Sequence, residues 1–390
     1  MTRKRVILLG ATGSIGESTL RVLRTHPEDL ELVGLACRSN WRALAPLVKE
    51  FQVREVAFSD AEAYRQAKAS GDFGAEVNLL SGEQGLVALV SECPADIVLV
   101  GISGTAGLMP TLAAIRSGKD IALASKEVLV LGGQFVMQAV KEQQVQLLPV
   151  DSEHNGGLQC LAAGKVSDLK RLILTASGGP FRNYTLAQMQ NLTPKQALRH
   201  PNWKMGPKIT IDSATMANKG LELIEAHWLF GLGKEALGVV VHPQSIVHAL
   251  AEYVDGAVIA HLAPPSMTFP IQHALLYPRR AFSVDKPLDF TQAFKLDFEP
   301  PDKERFPCLD LALQCLASGG TAPALFNAAN EVAVNAFIQR KLPFLGISQI
   351  IDKTLEHLHC PAPYTSLEDV LAIDAAARKL AIQCVENFSS

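Results

Sequence analysis

R-V-I-L-L-G-A-T-G-S-I-G, residues 5–16, is the stretch whose reading decides the fold. Residues 5–10 are an apolar run with the length and composition of a buried strand. Gly10-Ala11-Thr12-Gly13-Ser14-Ile15-Gly16 follows as a turn, and a helix begins near Glu17 with Leu20 and Leu23 among its apolar residues. Strand, glycine turn and helix make a first βα unit whose backbone N–H groups can approach a phosphate at a helix N-terminus. The spacing is G-x-x-G-x-x-G rather than the dinucleotide pattern G-x-G-x-x-G. The position between strand and helix therefore carries the reading more than the glycines do. The plainer alternative is a tight turn that binds nothing.

Working outward, Leu30–Ala36 is a second strand, ending in Cys37-Arg38-Ser39-Asn40. A site that prefers NAD places an acid here to hold the ribose 2′-OH. None is present, and Arg38, Ser39 and Asn40 could receive a 2′-phosphate, which favours NADP; a solvated Arg38 is the rival reading. Glu55–Ser59, Asp96–Gly101 and Asp120–Ala124 are further strands, with helical stretches such as Leu108–Ser117 between them. This alternation predicts a parallel, doubly wound sheet over residues 1–150. Ser125-Lys126-Glu127 follows a strand's carboxyl end, where the lysine is either solvated or meets an anionic substrate.

Val145–Val150 is the next strand, and it runs into Asp151-Ser152-Glu153. In extended backbone residues i and i+2 point the same way, so Asp151 and Glu153 would aim two carboxylates at one spot beside the Ser152 hydroxyl. The carboxyl end of a strand is where open α/β sheets bind ligands, and two hard oxygen donors there suit Mg²⁺ or Mn²⁺. The alternative is a solvated strand end entering an Asn-Gly-Gly turn.

After residue 157 the pattern changes. Leu169–Ala176 is a strand leading into Ser177-Gly178-Gly179-Pro180-Phe181, a turn able to bind an anion. His200-Pro201-Asn202-Trp203-Lys204-Met205-Gly206 has the composition of a loop that closes over a ligand, or of one whose Trp203 and Met205 pack on the core. Lys208–Ser213 is expected as a strand and Ala214–Phe230 as a helix with Ser213 at its N-cap. Asn218 and Glu222 share a helical face, flanked by Lys219. Ser213, Asn218 and Lys219 could grip a phosphate, and Glu222 could add a third carboxylate to the metal; a purely structural helix face is the default. Leu237–His242 and Ala257–Leu262 are strands.

The expected architecture is α/β. Residues 1–150 form a Rossmann-like doubly wound sheet, and 151–276 a second α/β domain that is catalytic. A proline-bearing linker covers 277–302 and a small all-α domain 303–390. Helices are expected at Leu309–Ala317, Ala324–Gln339, Ile347–His357 and Leu367–Glu386, with Ser366-Leu367-Glu368-Asp369 as a capping box. The His357-x-His359 pair is more often polar surface than a metal site.

Composition narrows the class. Across 390 residues, 48% are hydrophobic and 19% charged, and the net charge of −3 gives no reason to expect nucleic acid or an anionic membrane as partner. Seven scattered cysteines without a C-x-x-C argue against a disulfide framework or thiolate zinc site and fit a reducing cytoplasm. No apolar stretch approaches the length of a membrane span.

Taken together, G-A-T-G-S-I-G (10–16), A-S-K-E (124–127), P-V-D-S-E-H (149–154), S-G-G-P-F (177–181), H-P-N-W-K-M-G (200–206), D-S-A-T-M-A-N-K-G-L-E (212–222), H-P-Q-S-I-V-H (242–248) and N-A-A-N-E (327–331) carry a resemblance over nearly the whole chain. In this order they resemble the 1-deoxy-D-xylulose 5-phosphate reductoisomerases of the non-mevalonate isoprenoid pathway. The resemblance implies NADPH contacts at Thr12, Gly13, Ser14, Ile15, Arg38, Ser39, Asn40, Ser125, Glu127 and Gly206. It implies a divalent metal, Mg²⁺, Mn²⁺ or Co²⁺, on Asp151, Glu153 and Glu222. Lys126, Ser152 and Glu153 would meet the substrate's polar backbone, with Ser177, Ser213, Asn218 and Lys219 on its phosphate. His200 and Trp203 would close over it. Lys126, Asp151, Glu153, His200 and Glu222 are the implied catalytic set. A homodimer and inhibition by fosmidomycin are also implied. Ser125 stands where the family usually has Asn and Arg38 where it usually has Gly, and Ala263–Thr268 lacks the family's more charged version of that loop. The rivals are another NADP enzyme of the homoserine- or aspartate-semialdehyde-dehydrogenase type, and a non-catalytic NADP-binding sensor.

Overall fold

In the computed structural model, which describes residues 2–203, 205–358 and 364–388, the opening apolar run is strand β1 (Lys4–Leu9). Its Val6, Ile7, Leu8 and Leu9 are fully buried, as expected of a parallel strand covered on both faces. Each such side chain contributes roughly 1.5–3 kcal/mol relative to exposure. Helix α1 (Ser14–Thr25) follows, then β2 (Leu30–Cys37), α2 (Trp41–Phe51), β3 (Glu55–Phe58), α3 (Ala61–Ser70), β4 (Asn78–Ser81) and α4 (Gly82–Glu92). The series continues through β5 (Ile97–Val100), α5 (Leu108–Arg116), β6 (Asp120–Leu123), α6 (Lys126–Gln143), β7 (Leu147–Pro149) and α7 (Ser152–Leu161).

These strands make a seven-stranded sheet in the order β4-β3-β2-β1-β5-β6-β7, with every neighbouring pair parallel. The order reverses between β1 and β5, the switch point at which such sheets take ligands. Gly10 makes the turn at that point possible. Its φ is +89°, and a Cβ there would lie 2.4 Å from the carbonyl oxygen of Gly101, just past β5. β4 was not anticipated, because four residues at a sheet edge carry too little pattern to register.

Beyond α7 come β8 (Leu169–Ala176), the short α8 (Leu186–Met189) and α9 (Pro194–Ala197), α10 (Pro207–Thr215), α11 (Ala217–Phe230), β9 (Leu237–Val241), β10 (Val247–Tyr253), β11 (Val258–Leu262) and α12 (Thr268–Leu276). The helices α13 (Cys308–Ser318), α14 (Ala322–Ile338), α15 (Gly346–His357) and α16 (Leu367–Phe388) complete the chain. The second sheet has the order β11-β10-β8-β9 and is parallel only between β8 and β9. The expected capping box opens α16: Asp369 N–H donates to Ser366 Oγ at 3.2 Å, and Ser366 N–H to the Asp369 carboxylate at 3.0 Å.

The chain divides into two compact units. The first runs to Val128 and adds Gln134–Asn155 and Ser266–Pro287; the second takes Leu129–Gly133, Gly156–Pro265 and the chain from Leu288 onward. The proline-bearing segment 277–302 is thus shared between them. In the first unit the hydroxyls of Ser266 and Thr268 donate to Asp285 at 2.5 and 2.7 Å, tying the start of α12 to the segment after it. In the second unit one apolar core runs from Leu172 and Leu174 of β8 through Leu221 and Ile224 of α11 to Phe326, Phe337 and Ile350 of the C-terminal helices. Helices α11 and α13 touch so closely that a Cβ on Gly220 would meet Ala312 Cβ at 2.4 Å.

Two local expectations are corrected. Residues 208–213 are not a strand: Gly206 caps α10, Pro207 opens it, and the expected single helix is two, broken at Met216 with φ of 63°. Pro suits a first helical position because its missing N–H would be unpaired there anyway. Ser213 therefore lies inside α10, not at an N-cap. Asp151-Ser152-Glu153 is also not extended, since Asn155 N–H already donates to the Asp151 carbonyl at 2.8 Å and α7 starts at Ser152. His357 ends α15 with Nδ1 bonded to the Lys353 carbonyl at 2.7 Å. Its proposed companion His359 lies outside the described residues, as does Lys204.

Candidate active site

In the first unit the β1–α1 turn carries Thr12, Gly13, Ser14 and Ile15. Gly13 is the N-cap of α1 and uses no side chain to cover the helix end. The first N–H groups of a helix lack intrahelical acceptors, and the helix dipole adds partial positive charge, so this turn offers an anion seat. Arg38, Ser39 and Asn40 are exposed just past β2. Asn40 caps α2 by accepting from Ala43 N–H at 3.3 Å, which fixes the loop's exit.

The starts of α6 and α7 hold Lys126, Glu127, Asp151 and Glu153. Ser125 Oγ donates to the Gly104 carbonyl at 3.2 Å and to Glu127 at 3.3 Å, so the Ser125 and Glu127 side chains meet. Lys126 Nζ lies 2.7 Å from Asp151 Oδ2, with both side chains almost fully buried. Ser152 Oγ donates to Glu153 at 2.6 Å. The carboxylates of Asp151 and Glu153 stand at the positive end of α7, which favours their charge. Asn155 anchors that helix start by donating to the Pro149 carbonyl at 2.9 Å. His154, fully buried, has a ring nitrogen within 4.8 Å of an Asp151 oxygen. The sequence reading passed over His154 and Asn155; their signal was the polar run D-S-E-H-N directly after an apolar strand.

In the second unit three predicted residues from distant positions converge. His200 Nε2 is 3.0 Å from Ser177 Oγ and 3.1 Å from Ser213 Oγ. His200 Nδ1 accepts from the backbone N–H groups of Asn202 and Trp203, at 3.1 and 3.0 Å. An Nδ1 that accepts twice leaves the proton on Nε2, and burial holds the imidazole down to about 4, so the ring is neutral at neutral pH. The result is an N–H donor between two hydroxyls.

The loop carrying His200 is held by Asn202, whose side-chain amide donates to the Pro243 carbonyl at 2.6 Å and to Ser245 Oγ at 2.9 Å. Trp203 sets its ring edge-on to His248, centroids 6.3 Å apart. Gly206 is the exposed hinge into α10. Asn202, Ser245 and His248 were not singled out by residue, although their segments were. On α11, Asn218 and Lys219 both donate to Glu222, and Lys219 and Glu222 are buried.

The donor chemistry fits a hard divalent cation. Asp151 and Glu153 in the first unit, and Glu222 in the second, each offer carboxylate oxygens. Burial pushes the thiols of Cys37 and Cys308 up to about 12 and those of Cys93 and Cys160 to about 11, so none of these supplies a thiolate near neutrality.

Comparison with known proteins shows the family. Models of the 1-deoxy-D-xylulose 5-phosphate reductoisomerase family match residues 6–133, of its C-terminal domain 147–230, and of a further DXP reductoisomerase C-terminal domain 262–380. The chain belongs to the 1-deoxy-D-xylulose 5-phosphate reductoisomerase family. The family member from Caldanaerobacter subterraneus is 48% identical, covering 96% of this chain and 98% of its own. That of Chlorobaculum tepidum is also 48% identical, covering 98% of this chain and all of its own. Among solved structures, the reductoisomerase of Zymomonas mobilis in complex with NADPH superimposes with a TM-score of 0.91 at 44% identity, covering 99% of this chain and 100% of the other. A reductoisomerase in complex with NADPH, fosmidomycin and magnesium gives 0.93 at 41% identity, covering 99% of each.

Proposed function

We propose that this chain rearranges and reduces 1-deoxy-D-xylulose 5-phosphate to 2-C-methyl-D-erythritol 4-phosphate, using NADPH and a divalent cation, in the non-mevalonate route to isoprenoid precursors. The observation that carries the residue assignments is the neutral His200 donor held between the Ser177 and Ser213 hydroxyls in a member of this family.

Ser177, His200 and Ser213 seat the substrate's phosphate, with Asn218 and Lys219 as further donors. Asp151, Glu153 and Glu222 ligate Mg²⁺ or Mn²⁺, with Co²⁺ as a third option. When bound, the cation supplies Lewis acidity toward the ketone oxygen and its neighbouring hydroxyl, and NADPH supplies the hydride. Lys126 and Ser152 donate to the oxygens of the carbon chain. Grip on a phosphate remote from the reacting carbons orients them, which converts binding energy into rate. Trp203 on its loop excludes water from the aldehyde formed before reduction. The turn at Thr12, Gly13, Ser14 and Ile15 takes the pyrophosphate; Arg38, Ser39 and Asn40 face the 2′-phosphate end. Ser125, Glu127 and Gly206 complete the cofactor contacts.

The test is NADPH absorbance in the presence of 1-deoxy-D-xylulose 5-phosphate, with and without Mg²⁺ or Mn²⁺, and with fosmidomycin added. Metal-dependent oxidation of NADPH that fosmidomycin blocks is the expected result; oxidation indifferent to metal removes the carboxylate assignment.

The assembly is a cytoplasmic homodimer in our reading. The edge strand β11 exposes Val258 and Ile259, an apolar edge suited to a second copy. The described cysteines form no disulfide with one another, and no helix among the described residues is long and apolar enough to cross a membrane. Sedimentation of the chain as a monomer at micromolar concentration would remove the dimer.

A further inference from the structure

Ser213 stands on α10 next to Asp212, whose carboxylate is almost completely buried. Two groups compensate that carboxylate. Lys208, one turn earlier, lies 3.0 Å from it, and Asn330 of α14 donates its side-chain amide to it at 2.8 Å. Asn330 is itself fully buried, and its own Oδ1 has no hydrogen-bond partner among the described residues. A buried acceptor left without a partner is a cost that offsets part of what the amide contributes by compensating Asp212.

The Gly179 backbone also meets α10 with no slack. A Cβ on Gly179, where φ is +68°, would fall 2.8 Å from the Ser213 carbonyl oxygen and 3.0 Å from Ala214 Cα. Consecutive residues are about 100° apart around a helix, so any roll that relaxes Asp212 turns Ser213 as well. Apolar packing alone permits such a roll; a directional hydrogen bond from a rigid neighbouring helix resists it.

We infer that Asn330 is a positioning residue for the phosphate seat: its amide, by fixing Asp212, sets the roll of α10 and so aims the Ser213 hydroxyl at His200 and Ser177. This rests on the reading of Ser213 as a phosphate ligand. Asn330 acts through Asp212 and touches neither substrate nor cofactor.

The experiment compares the full-length wild type with Asn330→Ala, Ser213→Ala and the exchanged pair Asp212→Asn with Asn330→Asp, which rebuilds the hydrogen bond with donor and acceptor reversed. KM for the sugar phosphate, KM for NADPH, kcat and Tm are measured for each. Asn330→Ala is expected to raise KM for the sugar phosphate about tenfold, with some loss of kcat, while KM for NADPH stays within about twofold. The exchanged pair is expected to return that KM to within about threefold of wild type. If Asn330→Ala does not fold, Asn330→Ser takes its place and the same split between the two KM values is required. A lower Tm with both KM values unchanged, or no recovery in the exchanged pair, makes the bond merely structural and overturns the inference. If Ser213→Ala leaves the sugar-phosphate KM unmoved, the phosphate assignment fails and the inference falls with it; if Ser213→Ala raises it and Asn330→Ala does not, the inference fails alone.

Discussion

In the first unit Ser125, Lys126, Glu127, Asp151, Ser152 and Glu153 all stand within a few residues of the end of β6 or β7. In the second unit Ser177 follows a strand, His200 sits in a loop and Ser213 lies in the last turn of a helix. The first arrangement is local. Once the parallel sheet forms, its carboxyl edge places those side chains whatever the rest of the chain does. The second is assembled by tertiary contacts, among them Asn202 on Pro243 and Ser245, Gly179 against α10, and Asp212 against Asn330. A site built the first way should tolerate distant change and fail by local substitution. A site built the second way should fail from afar.

The hardest blow to the local arrangement is Asp151→Asn. It keeps the shape of the α7 start and removes a proposed metal ligand. kcat should fall on the order of a thousandfold, about 4 kcal/mol of lost stabilisation of the reacting oxygens. NADPH affinity, followed by fluorescence titration, should not change; turnover like wild type would take Asp151 out of the metal site. Next in size is Gly10→Ala. Strain at positive φ and collision with the Gly101 carbonyl should cost about 2–4 kcal/mol in denaturant unfolding. NADPH binding should weaken alongside, while the affinity for a phosphonate ligand at the Ser177–His200–Ser213 cluster should hold.

The smallest expected effect is on pH dependence. Burial holds His200 and His273 at about 4, against the ordinary imidazole value of 6.5. The unfolded chain therefore takes up protons that the native fold does not. Stability is fully present above about 6.5 and is lost as pH falls from there toward about 4. His200→Gln should remove about half of that acid-side slope, read from urea midpoints at several pH values. A slope unchanged in this variant would mean that His200 is not the neutral, buried donor described here.

The comparison also explains which parts were legible. V-I-L-L, I-V-L-V and D-I-A-L are apolar because parallel strands are covered on both faces, and all three were placed from sequence. K-I-T-I-D-S alternates like a strand and is rich in β-branched residues, yet it is helical. The buried residues of α10 include Thr210, Ile211, Ala214 and Thr215, and Ile211 and Ala214 pack into the second unit's core. Propensity is a weak prior beside that packing. The D-S-E reading assumed the wrong backbone, since Asp151 leads directly into a helix rather than ending a strand. Asn330 sat inside a quoted motif without a role, because nothing in a sequence says which buried amide faces which carboxylate 118 positions away.

By itself the sequence determined the parallel frame apart from its edge strand β4, together with the glycine turn, because burial and turn geometry act over a few consecutive residues. Only the tertiary structure decided that His200 is a neutral donor between two serines and that α10 is a helix held by Asp212 and Asn330. Both depend on desolvation and on contacts between segments that no local pattern encodes.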